Sequence, residues 1–549
     1  LPEIIHSNLN VSRYGSDLKI TFSPNFEHLP LGQQDYILCT SIPTSHANSV
    51  VAICQELINR GYNVVLLIEE KEFAKFKEFW SGGRLIIPNS IDSDVSVEVQ
   101  LAFSSVSLNE LAQILDRITS AYSWAILETY PILVKKPPKF VISDVFTRAG
   151  FIIAEKFNIP AVATWSGQSM PSVNDFISPL WYPAANSMLT HNFMTMTYLE
   201  MVKNVFTRLF RVIIADFFTL KSHNIKRRHF GVRELDHATD ITQKYPLFIS
   251  SPIGLDFAHP LLPSHFLIGP YFRPDYDKKV LPNDLQLWLD EAPNVIYLGF
   301  GRYASPTLES IQIIHLALTQ QNKTLRYLWS LSEPLQYFLE KANINQLSNV
   351  RYSPYLPQIE ILKHENVILF ISHGGFNSIA ESLIFNKPML IIALTPQLDQ
   401  AHNALRVEKS GCGIMHFGWN LKPILLQQQI SLLLQNITVN IDDNMTYPNP
   451  IDFKKMNHFF AASHRIGRLL RSAGGTTRAA TIIEEFLEFG YQHLIFNQPN
   501  YKQSFIIYSL VLLVTTTIIT LLVLLPYCCC RICYRKFKPK LAKQKRKAQ

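Results

Sequence analysis

The chain has 549 residues, of which 47% are hydrophobic and 12% aromatic. This length favours two large domains over one ordinary core, and the apolar content excludes general disorder. Residues 526–549 contain nine Lys or Arg and no acid, so the net charge of +8 less these 9 leaves −1 for the rest. We therefore expect no nucleic-acid partner.

The first part of the chain alternates apolar runs with helical segments. Strands are predicted at Tyr36–Thr40, Asn63–Ile68, near Arg84–Ile87, at Lys139–Ser143 and at Pro160–Thr164. Helices are predicted at Ser49–Asn59, over about 101–128 and at Phe146–Phe157. This alternation specifies a doubly wound parallel sheet. The Met- and aromatic-rich region 188–229 indicates long helices, which either line an acceptor pocket near a bilayer or pack in the core.

A proline-rich run, Pro270–Pro282, separates a second set of alternating elements. Its predicted strands are Asn294–Gly299, Leu325–Ser330, Val367–Ser372 and Met389–Leu394. Its predicted helices are Asn283–Asp290, Leu308–Gln320, Asn377–Phe385, Pro423–Leu434, Phe453–Leu470 and Thr476–Phe489. We expect an α/β protein with Rossmann-like domains at 1–269 and 294–474, a linker at 270–293, and a closing helix with a membrane approach at 475–504.

Phe505–Leu525 is a run of 21 residues without a charge. A run of this length can cross a hydrocarbon core of about 30 Å, although a buried core helix is the alternative. The basic tail 526–549 would then be cytosolic and the large domain would lie across the membrane. Because the chain begins with Leu1 instead of Met, we expect a signal peptide to have been removed.

Short motifs near the end of the chain and along it agree with a secretory location. Lys545 and Lys547 have the spacing of a dilysine retrieval signal of the endoplasmic reticulum, or form an electrostatic anchor to anionic lipid. N-glycosylation sequons begin at Asn10, Asn322, Asn436 and Asn444. We expect a single-pass type I glycoprotein of the endoplasmic reticulum membrane. Outside the tail the cysteines are Cys39, Cys54 and Cys412, so at most one disulfide can form there.

The stretch from Tyr355 to Gly413 carries most of the chemistry. A buried strand, Val367–Ser372, is followed by His373-Gly374-Gly375 and a helix. Two glycines let backbone approach a ligand, and a helix N-terminus attracts anions. The polar groups follow the carboxyl ends of strands, where open α/β sheets bind ligands. The pattern predicts an anion site that suits phosphate.

This stretch resembles the donor-binding signature of the UDP-glycosyltransferases. The family pattern runs aromatic-x-Pro-Gln, His-Gly-Gly-x-Asn-Ser-x-x-Glu, Gly-x-Pro-Met and Asp-Gln-x-x-Asn. The matching segments are Tyr355–Gln358, His373–Glu381, Lys387–Met389 with Lys in place of Gly, and Asp399–Asn403. The resemblance implies a GT-B fold, in which an N-terminal acceptor-binding domain and a C-terminal UDP-sugar-binding domain face a cleft.

The resemblance also implies roles for individual residues. Tyr355 is expected to stack on uracil, and Gln358 and Glu381 are expected to hold the ribose. His373, Asn377 and Ser378 are expected to hold the diphosphate. The other residues expected in the UDP-sugar site are Leu356, Gly301, Arg302 and Gly375. The sugar hydroxyls are expected to contact Asp399 and Gln400.

Three positions depart from the family pattern. Tyr355 replaces the usual Trp and offers a smaller stacking face to uracil. The turn before Asp399 is two residues longer than usual, which affects the sugar-binding turn. The usual Phe-Ser-x-Gly-Ser loop is here Tyr297–Arg302. Arg302 either donates two hydrogen bonds to the diphosphate or points to solvent.

His46 and Asp144 are the predicted catalytic pair. His46 follows the first strand in a predicted loop, where its family counterpart is the base, and Asp144 follows a later strand and matches the partner aspartate. Imidazole titrates near working pH, and a carboxylate on its far nitrogen fixes the tautomer. The alternatives are an ordinary loop histidine and a helix N-cap aspartate.

The expected function is inverting, metal-independent transfer of a hexosyl group from a UDP-sugar to a hydroxyl of a small lipophilic acceptor. No cofactor or metal is expected beyond the UDP-sugar co-substrate, and the chain could form a homo-oligomer. The first alternative is a catalytically weak relative that binds a nucleotide sugar or lipid as a partner subunit. The second is another GT-B enzyme, such as a nucleotide-sugar epimerase.

Overall fold

The computed structural model describes most of two α/β halves and part of the C-terminal segment. The described residues are 35–42, 45–87, 119–167, 197–200, 202–203, 206, 220–236, 240–258, 261–273, 276, 278–291, 294–301, 306–319, 325–341, 347–394, 399–435, 457–495, 510, 513–518, 520–522 and 531. All four sequons, Arg302, the lysine pair Lys545 and Lys547 and the turn 395–398 before Asp399 lie outside them.

The first half contains a seven-stranded parallel sheet in the order β3-β2-β1-β4-β5-β6-β7. Its strands are β1 Ile37–Thr40, β2 Val64–Glu69, β3 Gly83–Ile87, β4 Phe140–Asp144, β5 Ala161–Trp165, β6 Leu247–Ile249 and β7 His265–Leu267. Its helices are α1 Ser45–Asn59, α2 Glu70–Phe73, α3 Tyr130–Leu133, α4 Ala149–Phe157, α5 Lys221–His229 and α6 Asp240–Lys244. Residues 119–127 are also helical.

The second half contains a six-stranded parallel sheet in the order β10-β9-β8-β11-β12-β13. Its strands are β8 Val295–Gly299, β9 Arg326–Ser330, β10 Val350–Ser353, β11 Val367–Ser372, β12 Met389–Ala393 and β13 Gly413–Phe417. Its helices are α7 Asn283–Asp290, α8 Leu308–Thr319, α9 Glu333–Lys341, α10 Gln358–Lys363, α11 Phe376–Ile384, α12 Asp399–Lys409, α13 Pro423–Leu434 and α14 His458–Ser472, with a short 3-10 turn at Gly418–Asn420.

The two sheets explain why the predicted strands read as continuous apolar runs. Strands β1, β2, β4, β8 and β12 are buried along their whole length. Parallel sheets are covered on both faces, so their strands carry apolar side chains on both sides. In each sheet the strand order reverses once in the middle, between β1 and β4 and between β8 and β11. Ligands of open α/β sheets bind outside the carboxyl ends at such switch points.

Helix α15, Gly475–Phe489, follows the second half in the chain but packs against the first half. A 3-10 turn at Gln492–Leu494 comes after it. Ala479, Ile483 and Phe486 belong to the same buried cluster as the first sheet. Arg60, directly after α1, pairs with Glu484 at 2.5 Å, and the Tyr491 hydroxyl accepts a hydrogen bond from the Ala161 N–H at 3.1 Å. The closing helix therefore ties the end of the second half to the first core.

The prediction that His46 lies in a loop is wrong. Helix α1 begins at Ser45, four residues before the predicted start, so His46 lies in its first turn. A disulfide between Cys39 on β1 and Cys54 on α1 encloses this turn, and both cysteines are buried. Helix α4 begins at Ala149, three residues later than predicted, because the chain turns between Asp144 and Arg148.

Strands β10 and β13 were not predicted from the sequence. They are the two edges of the second sheet and are partly exposed, so their sequences, VRYS and GIMHF, mix polar and apolar residues. Helix α12 was also missed, and its first two residues are Asp399 and Gln400.

Residues 496–549 form a separate unit. Its described residues are helical and exposed. Among the residues that the structure describes, no helix has the length and apolar character needed to cross a membrane. The predicted span Phe505–Leu525 lies partly outside the described residues, which cover 510, 513–518 and 520–522 of it.

Candidate active site

The predicted catalytic pair meets at the switch point of the first sheet. His46 Nδ1 lies 2.7 Å from Asp144 Oδ2. The other oxygen, Asp144 Oδ1, accepts a hydrogen bond from the Phe146 backbone N–H at 2.9 Å. Asp144 is fully buried and is not the cap of α4, whose N-cap residue is Arg148. Because an ionised carboxylate only accepts hydrogen bonds, the His46 Nδ1 carries a proton and Nε2 is the basic atom.

The pKa of His46 reports charges from both halves of the protein. Burial lowers this pKa, but the charge and hydrogen bond of Asp144 and the charge of Asp399 outweigh burial and raise it above the usual value. Desolvation raises the pKa of Asp399, against the hydrogen bond from Asn403 and the charge of His46. The charges of His46 and Asp399, one from each half, therefore each shift the pKa of the other group.

Two aromatic rings border His46. The Phe146 ring lies edge-on at 5.2 Å between centroids, and the Trp165 ring lies at 5.9 Å. The two rings also contact each other at 5.4 Å. The sequence does not point to either residue as part of the site. Phe146 lies two residues after the end of β4, and Trp165 is the last residue of the neighbouring strand β5. His46 thus has an apolar wall on one side.

His373 lies at the switch point of the second sheet, enclosed by two glycines. A Cβ added to Gly375 would stand 2.5 Å from His373 Nε2, and one added to Gly301 would stand 2.8 Å from Cε1. Burial lowers the pKa of His373 to about 4, against a hydrogen bond with the Gly299 backbone that raises it. The imidazole is therefore neutral at neutral pH.

Helix α11 begins directly after the glycines. Gly375 is its N-cap residue and provides no side-chain cap, while Asn377 and Ser378 lie in the first turn. Gly374 has φ +93°, and a Cβ there would stand 2.9 Å from the Gln400 carbonyl oxygen. The turn thus presents the N-terminus of α11, with its partial positive charge, at the carboxyl edge of the sheet.

Polar side chains on α10 and α11 form a connected cluster. Gln358 Nε2 donates to Glu381 Oε2 at 2.6 Å and to Ser378 Oγ at 3.1 Å, and its carbonyl accepts from the Tyr297 hydroxyl at 3.4 Å. Burial raises the pKa of Glu381 to about 7, with Gln358 and Arg273 opposing and Glu360 adding to the shift. Tyr355 stands at the rim of this cluster with 72% of its surface exposed, and Leu356 is buried beside it.

Asp399 and Gln400 begin helix α12. Asn403, one turn on, donates to Asp399 Oδ2 and to the Gly374 carbonyl, both at 2.9 Å. Gln400 is buried, and Asp399 is the first residue of the helix. The sequence motif includes Asn403 without assigning it a role. In the structure, Asn403 joins the Asp399 carboxylate to the glycine turn.

No group of three or more His, Cys, Asp or Glu that could hold a metal ion occurs within the described parts of the chain. Arg302 lies outside the described residues, so its two interpretations stay predictions, as does the effect of the longer turn at 395–398.

A sequence model of the family described as "UDP-glucoronosyl and UDP-glucosyl transferase" matches residues 35–435. The chain belongs to this family of UDP-glycosyltransferases. It is therefore a glycosyltransferase, and the predicted family resemblance is confirmed.

Several relatives of this UDP-glycosyltransferase are similar over much of its length. The 2-hydroxyacylsphingosine 1-beta-galactosyltransferase of Mus musculus is 26% identical over 387 residues, which cover 68% of each chain. UDP-glucosyltransferase 2 of Dactylopius coccus is 25% identical over 396 residues, covering 68% of this chain and 71% of the relative. UDP-glucuronosyltransferase 3A2 of Homo sapiens is 28% identical over 286 residues, about half of each chain.

Solved glycosyltransferases share the fold. Os79 from O. sativa, solved with U2F and trichothecene, superposes with a TM-score of 0.55 at 15% identity, covering 82% of this chain and 99% of that chain. The glycosyltransferase of kitacinnamycin superposes with a TM-score of 0.55 at 16% identity, covering 83% and 99%. The UDP-glycosyltransferase is thus an α/β protein with two parallel sheets and GT-B neighbours, which confirms the predicted fold class apart from the membrane helix.

Proposed function

We propose that this chain transfers a hexosyl group from a UDP-sugar to a hydroxyl group of a small lipophilic acceptor, with inversion at the anomeric carbon. The observation that carries the proposal is the 2.7 Å contact between His46 Nδ1 and the buried Asp144. The charge of Asp399 in the second half supports it, because this charge raises the pKa of His46. A base in one half and a donor signature in the other are what a single displacement across a cleft requires.

His46 is the proposed base. Its Nε2 takes the proton of the acceptor hydroxyl while the acceptor oxygen attacks the anomeric carbon. The bond from that carbon to the β-phosphate oxygen breaks, and UDP leaves with the electron pair. Asp144 stabilises the imidazolium that forms, as the carboxylate of a hydrolase triad does.

The departing diphosphate is proposed to bind at the N-terminus of α11 and at His373. Because the pKa of His373 is lowered to about 4, its imidazole acts as a neutral hydrogen-bond donor and not as a cation. The helix N-terminus adds a partial positive charge. We propose that these donors replace a metal ion, so that chelation with EDTA should leave the rate unchanged.

Lipophilic acceptors are supported by two observations. Phe146 and Trp165 place an apolar wall within 6 Å of the His46 ring, which suits a flat or hydrocarbon acceptor. The relatives also include an enzyme named for a 2-hydroxyacylsphingosine acceptor. The donor sugar is proposed only as a hexose, because Asp399 and Gln400 can bond hydroxyls of several hexoses.

The first experiment is calorimetric binding of UDP-glucose, UDP-galactose, UDP-glucuronic acid and UDP-N-acetylglucosamine to the detergent-solubilised full chain. We expect one donor to bind, and His373→Ala to weaken that binding. His46→Gln should keep donor binding and lose transfer to a phenolic or sphingoid acceptor. A folded wild-type protein that binds UDP-sugars but transfers none would favour the non-catalytic, partner-subunit alternative.

We also propose that Phe505–Leu525 crosses the endoplasmic reticulum membrane once, with the catalytic halves lumenal and the basic tail cytosolic. Support comes from the uncharged run and from Leu510, Leu513, Val514, Ile518, Leu521 and Leu522, which are all exposed in the separate C-terminal unit. Protease treatment of intact microsomes tests this topology. Removal of only the last 24 residues is expected, whereas digestion of the catalytic halves would contradict it.

A further inference from the structure

A buried ion pair joins the first half to the helix that carries Asp399. Arg406 Nε on α12 lies 2.7 Å from Asp256 Oδ1, and the two side chains are 1% and 0% exposed. Arg406 also donates to the His402 carbonyl at 3.2 Å, and its guanidinium lies 5.0 Å from the centre of the Phe257 ring. These contacts hold the Arg406 guanidinium in a defined position beside Asp256.

Asp256 belongs to a segment of the first half that enters the second. Residues 252–257 follow β6, and Leu255 is buried within the hydrophobic core of the second half. A Cβ added to Gly254 would stand 2.9 Å from the Leu469 side chain on α14. The segment is therefore packed between halves and not merely laid on a surface.

Arg406 shares one face of α12 with the donor-side residues. Positions 399, 403 and 406 are separated by four and three residues, which places their side chains on the same side of a helix. Asn403 bonds both Asp399 and the Gly374 carbonyl at 2.9 Å. One helix face therefore connects the sugar-side carboxylate, the glycine turn and, through Arg406, the first half.

We propose that Arg406 and Asp256 are positioning residues that hold Asp399 in place opposite His46. The pair is a charge contact between the half that carries His46 and the helix that carries Asp399. Because both side chains are buried, salt in solution screens their attraction little. Replacing a buried ion pair by apolar groups is often neutral for stability, so stability alone does not explain why a charged pair occupies this position. The role in catalysis rests on the proposed function.

The test replaces both charges together, because one buried charge without its partner would destabilise the fold. The variant is Asp256→Asn with Arg406→Met in the full chain. The control is Glu155→Gln with Arg227→Met, a buried ion pair at 2.5 Å within the first half, in which Glu155 also pairs with Lys244 at 2.9 Å. Thermal unfolding shows whether each double variant folds.

The first readout is the titration of His46, which does not depend on turnover. Its side chain is 19% exposed, so diethyl pyrocarbonate can reach it, and mass spectrometry gives the rate of modification of its peptide against pH. Among the described residues, the charged groups that raise the pKa of His46 are Asp144 from β4 and Asp399 from α12. Because the charge of Asp399 raises the pKa of His46, its displacement should lower the midpoint of modification.

We expect the Asp256/Arg406 variant to titrate at lower pH than wild type and to lose about ten- to a hundred-fold in kcat, as a misplacement of about 1 Å can cause. The Glu155/Arg227 variant should keep the wild-type midpoint. A folded Asp256/Arg406 variant with the wild-type midpoint and kcat would overturn the proposal. If wild type transfers no sugar, the proposed function fails, but the titration still decides whether the pair places Asp399 near His46.

Discussion

Asp144 is the carboxylate on which the basicity of His46 depends. It accepts hydrogen bonds from the His46 ring and from the Phe146 N–H while fully buried. Asp144→Asn keeps the shape but removes the charge, so we expect kcat to fall by about 10²- to 10⁴-fold. UDP affinity should not change, because Asp144 lies in the first half and the predicted donor-binding residues lie in the second.

The pH profile of the Asp144→Asn variant gives a sharper check. The charge of Asp144 raises the pKa of His46, and a base must be deprotonated to work. In wild type the acid limb of kcat/KM should therefore lie above the usual histidine pKa, and in the variant it should move to lower pH. An acid limb that stays in place would argue against His46 as the titrating base.

Glu381 is expected to make donor binding depend on pH. Burial raises the pKa of its carboxyl to about 7, so the group gains a proton as the pH falls through neutrality. An ionised carboxylate accepts hydrogen bonds from ribose hydroxyls better than a protonated one. UDP affinity measured by calorimetry should therefore decrease between pH 8 and pH 6.

Glu381→Gln is the matched variant for this titration. It should bind UDP more weakly than wild type at pH 8 and show no change in affinity between pH 8 and pH 6. If the variant kept the wild-type pH dependence, another group would be responsible. The terminal phosphate of UDP itself would be the first group to examine.

At the scale of elements, the turn between β11 and α11 depends on how closely its backbone approaches His373. Gly375 has φ −64°, which suits any residue, but an added Cβ would stand 2.5 Å from His373 Nε2. Gly375→Ala should therefore displace the imidazole, reduce UDP affinity at least about ten-fold and cost about 1–3 kcal/mol of overpacking.

Gly61→Ala is a control in which stability is lost through backbone strain and not through a steric clash. Gly61 has φ +93° and open space around it, so a methyl group there meets no neighbour but strains the backbone by about 1–2 kcal/mol. Both variants should lose stability in thermal unfolding, but only Gly375→Ala should lose UDP affinity. Equal loss of affinity in both would mean that the turn acts through stability alone.

At the scale of the whole molecule, the closing helix α15 stabilises the first half from the far end of the chain. Phe486 is 4% exposed and packs against Phe248 and Phe266, with ring centres 6.4 and 5.8 Å away. Phe486→Ala should lower the free energy of unfolding by about 3–5 kcal/mol. Phe489→Ala, on the same helix but 71% exposed, should change it by less than about 0.5 kcal/mol.

Urea unfolding followed by tryptophan fluorescence measures both variants, since Trp165 and Trp124 lie in the first half. If Phe486→Ala were as stable as Phe489→Ala, the closing helix would not be part of the first core.

The central strands and the donor signature were predictable because their causes are local. A strand covered on both faces needs a continuous apolar run, and Val367–Ser372 and Met389–Ala393 show one. The edge strands β10 and β13 were missed because partly exposed strands tolerate polar residues and lose this pattern. The start of α1 is hard to predict because Ser, Pro and Thr, which occupy most of positions 41–45, favour loops as well as helix starts.

The sequence by itself determined the two α/β halves and the spacing of the donor motif, since strand periodicity and short motifs are written along neighbouring residues. His46 and Asp144 became candidates through the family resemblance. Only the tertiary structure decided that His46 and Asp144, 98 residues apart, meet at 2.7 Å, and that Asp256 and Arg406, 150 residues apart, form a buried pair. Such contacts depend on strand order and on the packing of one half against the other. No local pattern encodes them.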